Sequence, residues 1–124
     1  MAARRTSRGL VAITAALTAV TFGTPAAART GNDLIKACHG VFDDDKPEPG
    51  EAIDQGYCMG AVSMLMQLGA TTTLKFCPPA NATVYQGVRV VLKFMDATPE
   101  RLNEQFIGLA VAGLRQAWPC ALPH

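Results

Sequence analysis

The sequence predicts an all-α protein, a small bundle of about four helices stapled by disulfide bonds. Apolar residues recur with helical spacing from Leu34 to Trp118, and no stretch shows the sustained alternation that indicates a strand. Capping residues, prolines and glycines divide this pattern into helical segments. Four cysteines supply the staples, since an even number of cysteines is typical of an exported disulfide-linked domain.

A cleavable secretory signal is predicted over residues 1–28. The basic segment MAARRTSRG precedes the apolar run LVAITAALTAVTFG, and TPAAA supplies the small residues that signal peptidase requires. The apolar run is shorter than the roughly 20 residues that a membrane-spanning helix needs. We therefore expect cleavage after Ala28, which would leave one periplasmic domain, residues 29–124, with no membrane span.

The charge balance argues against nucleic acid and anionic membranes as partners. Removal of the leader takes away three arginines and changes the formal charge from +1 to about −2. No basic stripe then remains to neutralise phosphates. A domain of this length buries about 60 to 65% of its unfolded surface, so covalent staples would add useful stability.

The first half of the mature chain predicts two helices separated by an acidic loop. NDLIKACHG should form a helix that begins near Asn32 or Asp33 and stops at Gly40, and VFDDDKPEPG should form the loop. A second helix is expected from about Glu51 to Leu68. Its predicted apolar face consists of Ile53, Tyr57, Gly60, Ala61, Met64 and Leu68.

Glycines and methionines add two expectations about packing. Gly56 and Gly60 lie one helical turn apart and would let a neighbouring backbone approach closely. The flexible methionine side chains are expected to fill gaps in the core, namely Met59, Met64, Met66 and Met95.

Two more helices are predicted after the CPP segment. Thr83 and Gln86 have capping-box spacing, so Thr83 should start the third helix. Thr98 should cap the fourth, with Pro99 in its first position and Pro119 at its end. The inward residues would be Val84, Val88, Val91, Leu92 and Met95 in the third helix, and Leu102, Phe106, Leu109, Ala110, Gly113, Ala117 and Trp118 in the fourth.

Helix topology selects one of the three possible cysteine pairings. If successive helices are antiparallel, the end of the first lies near the start of the second, which brings Cys38 toward Cys58. The second and fourth helices end at the same pole, which brings Cys77 toward Cys120. These bridges close loops of about 20 and 43 residues and contribute roughly 3 and 4 kcal/mol in the chain-entropy treatment.

The cysteines do not fit a catalytic or metal-binding pattern. A thiol nucleophile would need a basic partner, but His39 directly follows Cys38, so the two side chains diverge by about 100° around a helix. Zinc sites use closely spaced ligand pairs, which the four cysteines lack. The sequence therefore predicts a binding protein without an enzymatic activity, a metal or a cofactor.

The acidic loop is the remaining candidate for chemistry. Asp43, Asp44, Asp45 and Glu48 offer carboxylate oxygens, but they lack the alternation and central glycine of an EF-hand. A solvated loop or a protein-contact surface suits them better. Because charge of one sign can steer association, our hypothesis is that these four residues form part of a partner-binding surface.

Five segments of the chain resemble the Rap/Tai family of immunity proteins. They are, in order, GNDLIKAC, DQGYCMGAV, CPP, TVYQGVRVVLKFMDATPERLNE and AWPC, and they span Gly31 to Cys120. The resemblance implies a periplasmic α-helical protein that binds a type VI secretion peptidoglycan amidase and blocks its active-site cleft, often as a dimer. The shared motifs are structural, so they do not identify the inhibitory contacts.

Two other classes of function also suit a small, exported, disulfide-linked helical protein. The first is an acid-stress chaperone of the periplasm, which would expose apolar surface at low pH. The second is an envelope accessory module that keeps the family fold without a toxin partner.

We predict that the chain purified from the periplasm of an exporting host begins at Arg29. Intact-mass spectrometry should give the mass of residues 29–124 with four oxidised cysteines. Ala28→Phe should block processing because signal peptidase requires a small residue before the cut. A periplasmic wild-type protein that retains residues 1–28 would contradict the prediction.

Overall fold

The computed structural model describes residues 27–71 and 73–121, so residues 1–26 of the predicted leader lie outside the described part. Within these residues, the fold consists of four α-helices and one short 3₁₀ turn. They are α1 (Gly31–Gly40), α2 (Pro49–Leu68), α3 (Val84–Ala97), the 3₁₀ turn (Pro99–Arg101) and α4 (Phe106–Ala117). The predicted all-α class is confirmed.

Side-chain caps start α1 and α3. The hydroxyl of Thr30 accepts a hydrogen bond from the Asp33 N–H (3.4 Å), and the Asp33 carboxylate accepts one from the Thr30 N–H (2.8 Å). The backbone N–H of Thr30, and to a smaller extent its hydroxyl, donate hydrogen bonds that lower the pKa of the Asp33 carboxyl. The stability that these bonds contribute is lost as the pH falls through that lowered pKa. Thr83 caps α3 as predicted, through the Gln86 N–H (3.1 Å).

Helix α3 packs against the other three helices, most extensively against α4 and α2. Close approach occurs where glycines face a neighbouring helix. A Cβ at Gly87 would overlap Val62 and Met66 of α2, and one at Gly113 would lie 2.8 Å from Cβ of Phe94. Phe76, in the segment after α2, is fully buried and, with Phe106, is one of the two largest side chains of the described core.

The predicted apolar face of α2 is wrong. The residues that enter the core are Cys58, Val62 and Leu65. The predicted face points away from the core: five of its six residues are exposed and Ala61 is half-buried. Met64 is one of the exposed residues, so it does not fill a gap in the core as predicted. Periodicity could not select the buried side because the helix carries no charge after Asp54 and is apolar nearly all round.

Gly56 and Gly60 likewise do not act as predicted. A Cβ on either glycine would meet nothing within 4 Å, so no backbone among the described residues packs against them.

Helix α4 starts later than predicted. Thr98 precedes only the 3₁₀ turn and makes no side-chain cap. The carbonyl oxygens of Leu102 and Glu104 accept hydrogen bonds from the N–H groups of Asn32 (2.8 Å) and Gly31 (3.0 Å) at the start of α1. Because these oxygens bond to α1, the backbone does not continue as one helix from the 3₁₀ turn into α4.

The apolar stripe of α4 is otherwise close to the prediction. Phe106, Leu109, Ala110 and Gly113 are buried, as is Leu114, which the prediction omitted. Leu102 and Trp118 are half-buried, whereas Ala117 is exposed. In α3, the predicted Val88, Val91, Leu92 and Met95 are buried and Val84 is half-buried.

Both disulfides have the pairing expected from the antiparallel order. Cys38 is bonded to Cys58, with their Cα atoms 5.6 Å apart, and Cys77 is bonded to Cys120, with Cα atoms 4.8 Å apart. The first bond joins α1 to α2, and the second joins the segment after α2 to the segment after α4. Beside it, the Cys77 N–H donates to the Trp118 carbonyl (2.8 Å).

Adjacent residues of α2 provide a test of its orientation. Leu65 is 7% exposed and Met64 is 57% exposed. Leu65→Ala should lower the free energy of unfolding by about 2 to 5 kcal/mol because it leaves a cavity. Met64→Ala should change it by less than about 0.5 kcal/mol. Urea unfolding at low protein concentration measures both, and equal losses would contradict this orientation.

Candidate functional site

The acidic loop joins the end of α1 to the start of α2. Turn hydrogen bonds extend α1, with the Phe42 N–H donating to the His39 carbonyl and the Asp43 N–H to the Gly40 carbonyl, each at 3.1 Å. Pro49 then starts α2, and the Glu48 carbonyl accepts from the Ala52 N–H (2.8 Å). The carboxylates predicted as partner contacts, Asp43, Asp44, Asp45 and Glu48, are all exposed on this loop.

An aromatic side chain anchors the beginning of the loop to α3. Phe42 is half-buried, and its ring meets the ring of Tyr85 edge-on with centroids 6.2 Å apart. The guanidinium of Arg89 lies over the same ring, 4.1 Å from its centroid. Tyr85 and Arg89 are one turn apart on α3, so two residues on the same face of this helix contact the Phe42 ring.

These contacts border an open cleft of about 700 Å³ between α1 and α3. Nε2 of His39 and Oδ1 of Asp96 are 3.0 Å apart, and they link the two helices at the cleft. Both side chains are exposed, so the pair adds little to stability. The residues that line the cleft are His39, Phe42, Asp43, Arg89, Leu92, Lys93, Asp96 and Ala97.

The structure brings only one of the predicted partner residues into this cleft. Asp43 lies in its lining, whereas Asp44, Asp45 and Glu48 continue along the exposed loop. We call the cleft, this acidic loop and Tyr85, whose ring contacts Phe42 beside them, the loop–cleft surface. It combines carboxylates with Arg89 and the exposed Tyr85, two residue types enriched in the energetic centres of protein interfaces.

Sequence reasoning missed Phe42, Tyr85 and Arg89. The one available signal was the spacing of Tyr85 and Arg89, which places an aromatic and a basic residue on the same exposed side of α3. The contact with Phe42 has no local signal because the two elements are more than 40 residues apart in the chain.

All four cysteines are in disulfides, so none is available as a thiol nucleophile. Across residues 27–71 and 73–121, no group of three or more His, Cys, Asp or Glu side chains is arranged to hold a metal ion. Among the helices that the structure describes, none is both long enough and apolar enough to cross a bilayer.

Comparison with protein families gives a match to almost the whole of the described chain. The model of the Rap1a immunity proteins matches residues 30–120. The chain belongs to this family. The matched region includes all four helices, both disulfides and the loop–cleft surface. This membership confirms the resemblance of the sequence to the Rap/Tai family of immunity proteins. Searches of curated proteins and of solved structures found no match.

Proposed function

We propose that this Rap1a-family chain is a periplasmic immunity protein that binds and inhibits a peptidoglycan amidase delivered by type VI secretion. The family match over residues 30–120 carries the proposal, because an immunity protein acts by binding an effector protein. The amidase is the effector class implied by the resemblance of the sequence to the Rap/Tai family. Inhibition by binding needs no catalytic step from this chain.

Export is part of the proposed function. Peptidoglycan lies outside the cytoplasmic membrane, so an inhibitor must reach the same compartment as the amidase. The predicted leader over residues 1–28 would deliver it there. Two disulfides support this location, because such bonds persist in oxidising compartments such as the periplasm.

The loop–cleft surface is the effector-binding surface we propose. Its loop concentrates three consecutive aspartates, which would steer a basic surface of the effector toward it. Tyr85 and Arg89 lie beside the loop, where Phe42 contacts both, and would supply the contacts that slow dissociation. The Cys38–Cys58 bond directly precedes the loop on α1, and this restraint lowers the ordering cost of binding. The resemblance also implies a homodimer. Such a dimer is compatible with effector binding at the loop–cleft surface between α1 and α3.

The test of function uses the amidases that the producing bacterium secretes. Each purified amidase should digest peptidoglycan, and an equimolar amount of the exported chain should abolish release of soluble muropeptides by its cognate enzyme. In a sensitive host, the chain with its leader should prevent lysis by that amidase directed to the periplasm.

A variant without residues 1–28 serves as the control, since it should not protect cells although it contains the same binding domain. Failure to bind or inhibit any of the secreted amidases would contradict the amidase proposal. General suppression of aggregation of unrelated proteins at low pH would instead favour the chaperone function.

Separate substitutions on the loop–cleft surface should affect separate rate constants. Replacing Asp43, Asp44 and Asp45 with serine should lower the association rate constant for the cognate amidase at low salt, by about tenfold, and reduce its salt dependence. Tyr85→Ala should instead raise the dissociation rate constant by about tenfold or more. Surface plasmon resonance at two salt concentrations measures both effects.

Matched controls distinguish this surface from general charge or hydrophobicity. Glu100→Gln removes an exposed carboxylate and Ile107→Ala shortens an exposed apolar side chain, and neither residue lines the cleft or lies on the acidic loop. Neither should change either rate constant by more than about twofold. Unchanged binding of both the triple-serine and Tyr85→Ala variants would place the effector elsewhere.

A further inference from the structure

The two disulfide bonds differ in their access to solvent. Both cysteines of the Cys38–Cys58 bond are 0% exposed and belong to the core. In the other bond, Cys77 is exposed and Cys120 is half-buried. Thiol–disulfide exchange begins when a thiolate reaches one of the two sulfur atoms, so its rate depends on access. Of the two bonds, Cys77–Cys120 is therefore the one that is open to exchange in the folded domain.

An uncharged groove of about 430 Å³ lies beside this exposed bond. Cys77 is part of its lining, and most of the other lining residues are small or apolar, among them Met66, Pro78, Pro79 and Ala80. No charged residue is among the described residues that line the groove. The exposed cysteine thus adjoins a concave surface that a partner molecule can contact without burying a charge.

Backbone contacts hold the exposed cysteine in place. The N–H of the fully buried Phe76 donates to the Gly69 carbonyl (2.9 Å), and the Cys77 N–H donates to the Trp118 carbonyl (2.8 Å). Phe76 and Pro119 also form an isolated antiparallel bridge. None of these contacts involves a sulfur atom, so they do not require the Cys77–Cys120 bond. They would keep the two cysteines close together when the bond is open.

The order of the cysteines in the chain gives such a site a use. Export guided by the predicted leader delivers Cys38 and Cys58 before Cys77, and Cys120 follows 43 residues later. Until Cys120 arrives, Cys77 is free to pair with either of the earlier cysteines. The Cys77–Cys120 bond is therefore the last to close, and closing it requires most of the domain to have been delivered.

We propose that the Cys77–Cys120 bond and the groove beside it form a docking site for a dithiol oxidoreductase that opens and closes this bond on the folded domain. We call this bond and groove the exchange site. The reactive thiolate of such an enzyme, which comes from a Cys-X-X-Cys motif, is an anion that a groove without carboxylates does not repel. The apolar lining offers contact area that favours an enzyme over a small thiol.

The proposed reaction exchanges one disulfide for another. The enzyme thiolate forms a bond to the sulfur of Cys77, the bond between Cys77 and Cys120 breaks, and Cys120 leaves as a thiolate that takes up a proton. The second enzyme thiol, as its thiolate, then attacks the enzyme sulfur of this mixed disulfide, and Cys77 leaves and is protonated. Two electrons pass from the enzyme dithiol to the protein disulfide. Closure by the oxidised enzyme is the reverse sequence.

The exchange site is separate from the proposed effector contacts. It has no residue in common with the loop–cleft surface, and the buried Cys38–Cys58 bond continues to join α1 to α2 while the exposed bond is open. The proposal therefore does not depend on the identity of the effector.

A trapped mixed disulfide tests the site of attack. The probe is thioredoxin with the second cysteine of its Cys-X-X-Cys motif replaced by serine, which prevents release of the first adduct. Mixed with the oxidised chain purified from the periplasm, it should form one adduct per chain. Peptide mapping should place the link at Cys77. The same probe with the chain unfolded in urea is the positive control, since all four cysteines are then accessible.

An adduct at Cys38, Cys58 or Cys120 of the folded chain would overturn the proposal. So would the absence of any adduct when the unfolded chain reacts, because the exposed bond would then be closed to an enzyme of this class.

A charge placed in the groove tests docking. Ala80→Glu should lower the rate constant for reduction by wild-type thioredoxin, relative to that for reduction by dithiothreitol, by about fivefold or more, because docking would bury the new carboxylate. The ratio corrects for any change in the bond itself. Alkylation of the released Cys77 and Cys120 thiols, followed by mass spectrometry, measures both rate constants.

Ala52→Glu is the matched control. Ala52 is also exposed, but it lies in the first turn of α2 and does not line the groove. The same substitution there should leave the ratio of rate constants within about twofold of wild type. An unchanged ratio for Ala80→Glu, or an equal fall for both variants, would overturn docking in the groove.

Discussion

The disulfide bond between Cys38 and Cys58 determines which side of α2 enters the core. Both cysteines are fully buried, and the bond holds their Cα atoms 5.6 Å apart. Val62 and Leu65 follow Cys58 by one and two turns, so they face α1 and α3 together with it. The same rotation turns the other apolar row of α2 to the surface. One covalent constraint thus defines both the interior of the bundle and its exposed apolar face.

The extent to which the fold could be predicted differs from helix to helix. Helix α3 has a capping threonine and one clear apolar stripe, so its start and buried residues follow from local rules. Helix α2 has no charge after Asp54, and apolar spacing alone therefore fits more than one rotation. The cysteine pairing contained the missing information, because a face that excludes Cys58 is incompatible with its bond to α1.

Features that depend on contacts between distant segments could not be predicted. The break before α4 follows from hydrogen bonds between the Leu102 and Glu104 carbonyls and the start of α1. Helix propensity is a local property and does not predict these long-range hydrogen bonds. The loop–cleft surface also depends on contacts between distant segments. Its acidic loop was evident from composition, but the contact of Phe42 with Tyr85 and Arg89 requires α1 and α3 to be packed together.

The start of the folded domain lies close to Tyr57, on the exposed side of α2. The Arg29 carbonyl accepts from the Phe106 N–H (2.8 Å), while its side chain pairs with Asp54 and lies over Tyr57. A fluorophore, affinity tag or surface-coupling group attached just before Arg29 would therefore be held beside Tyr57.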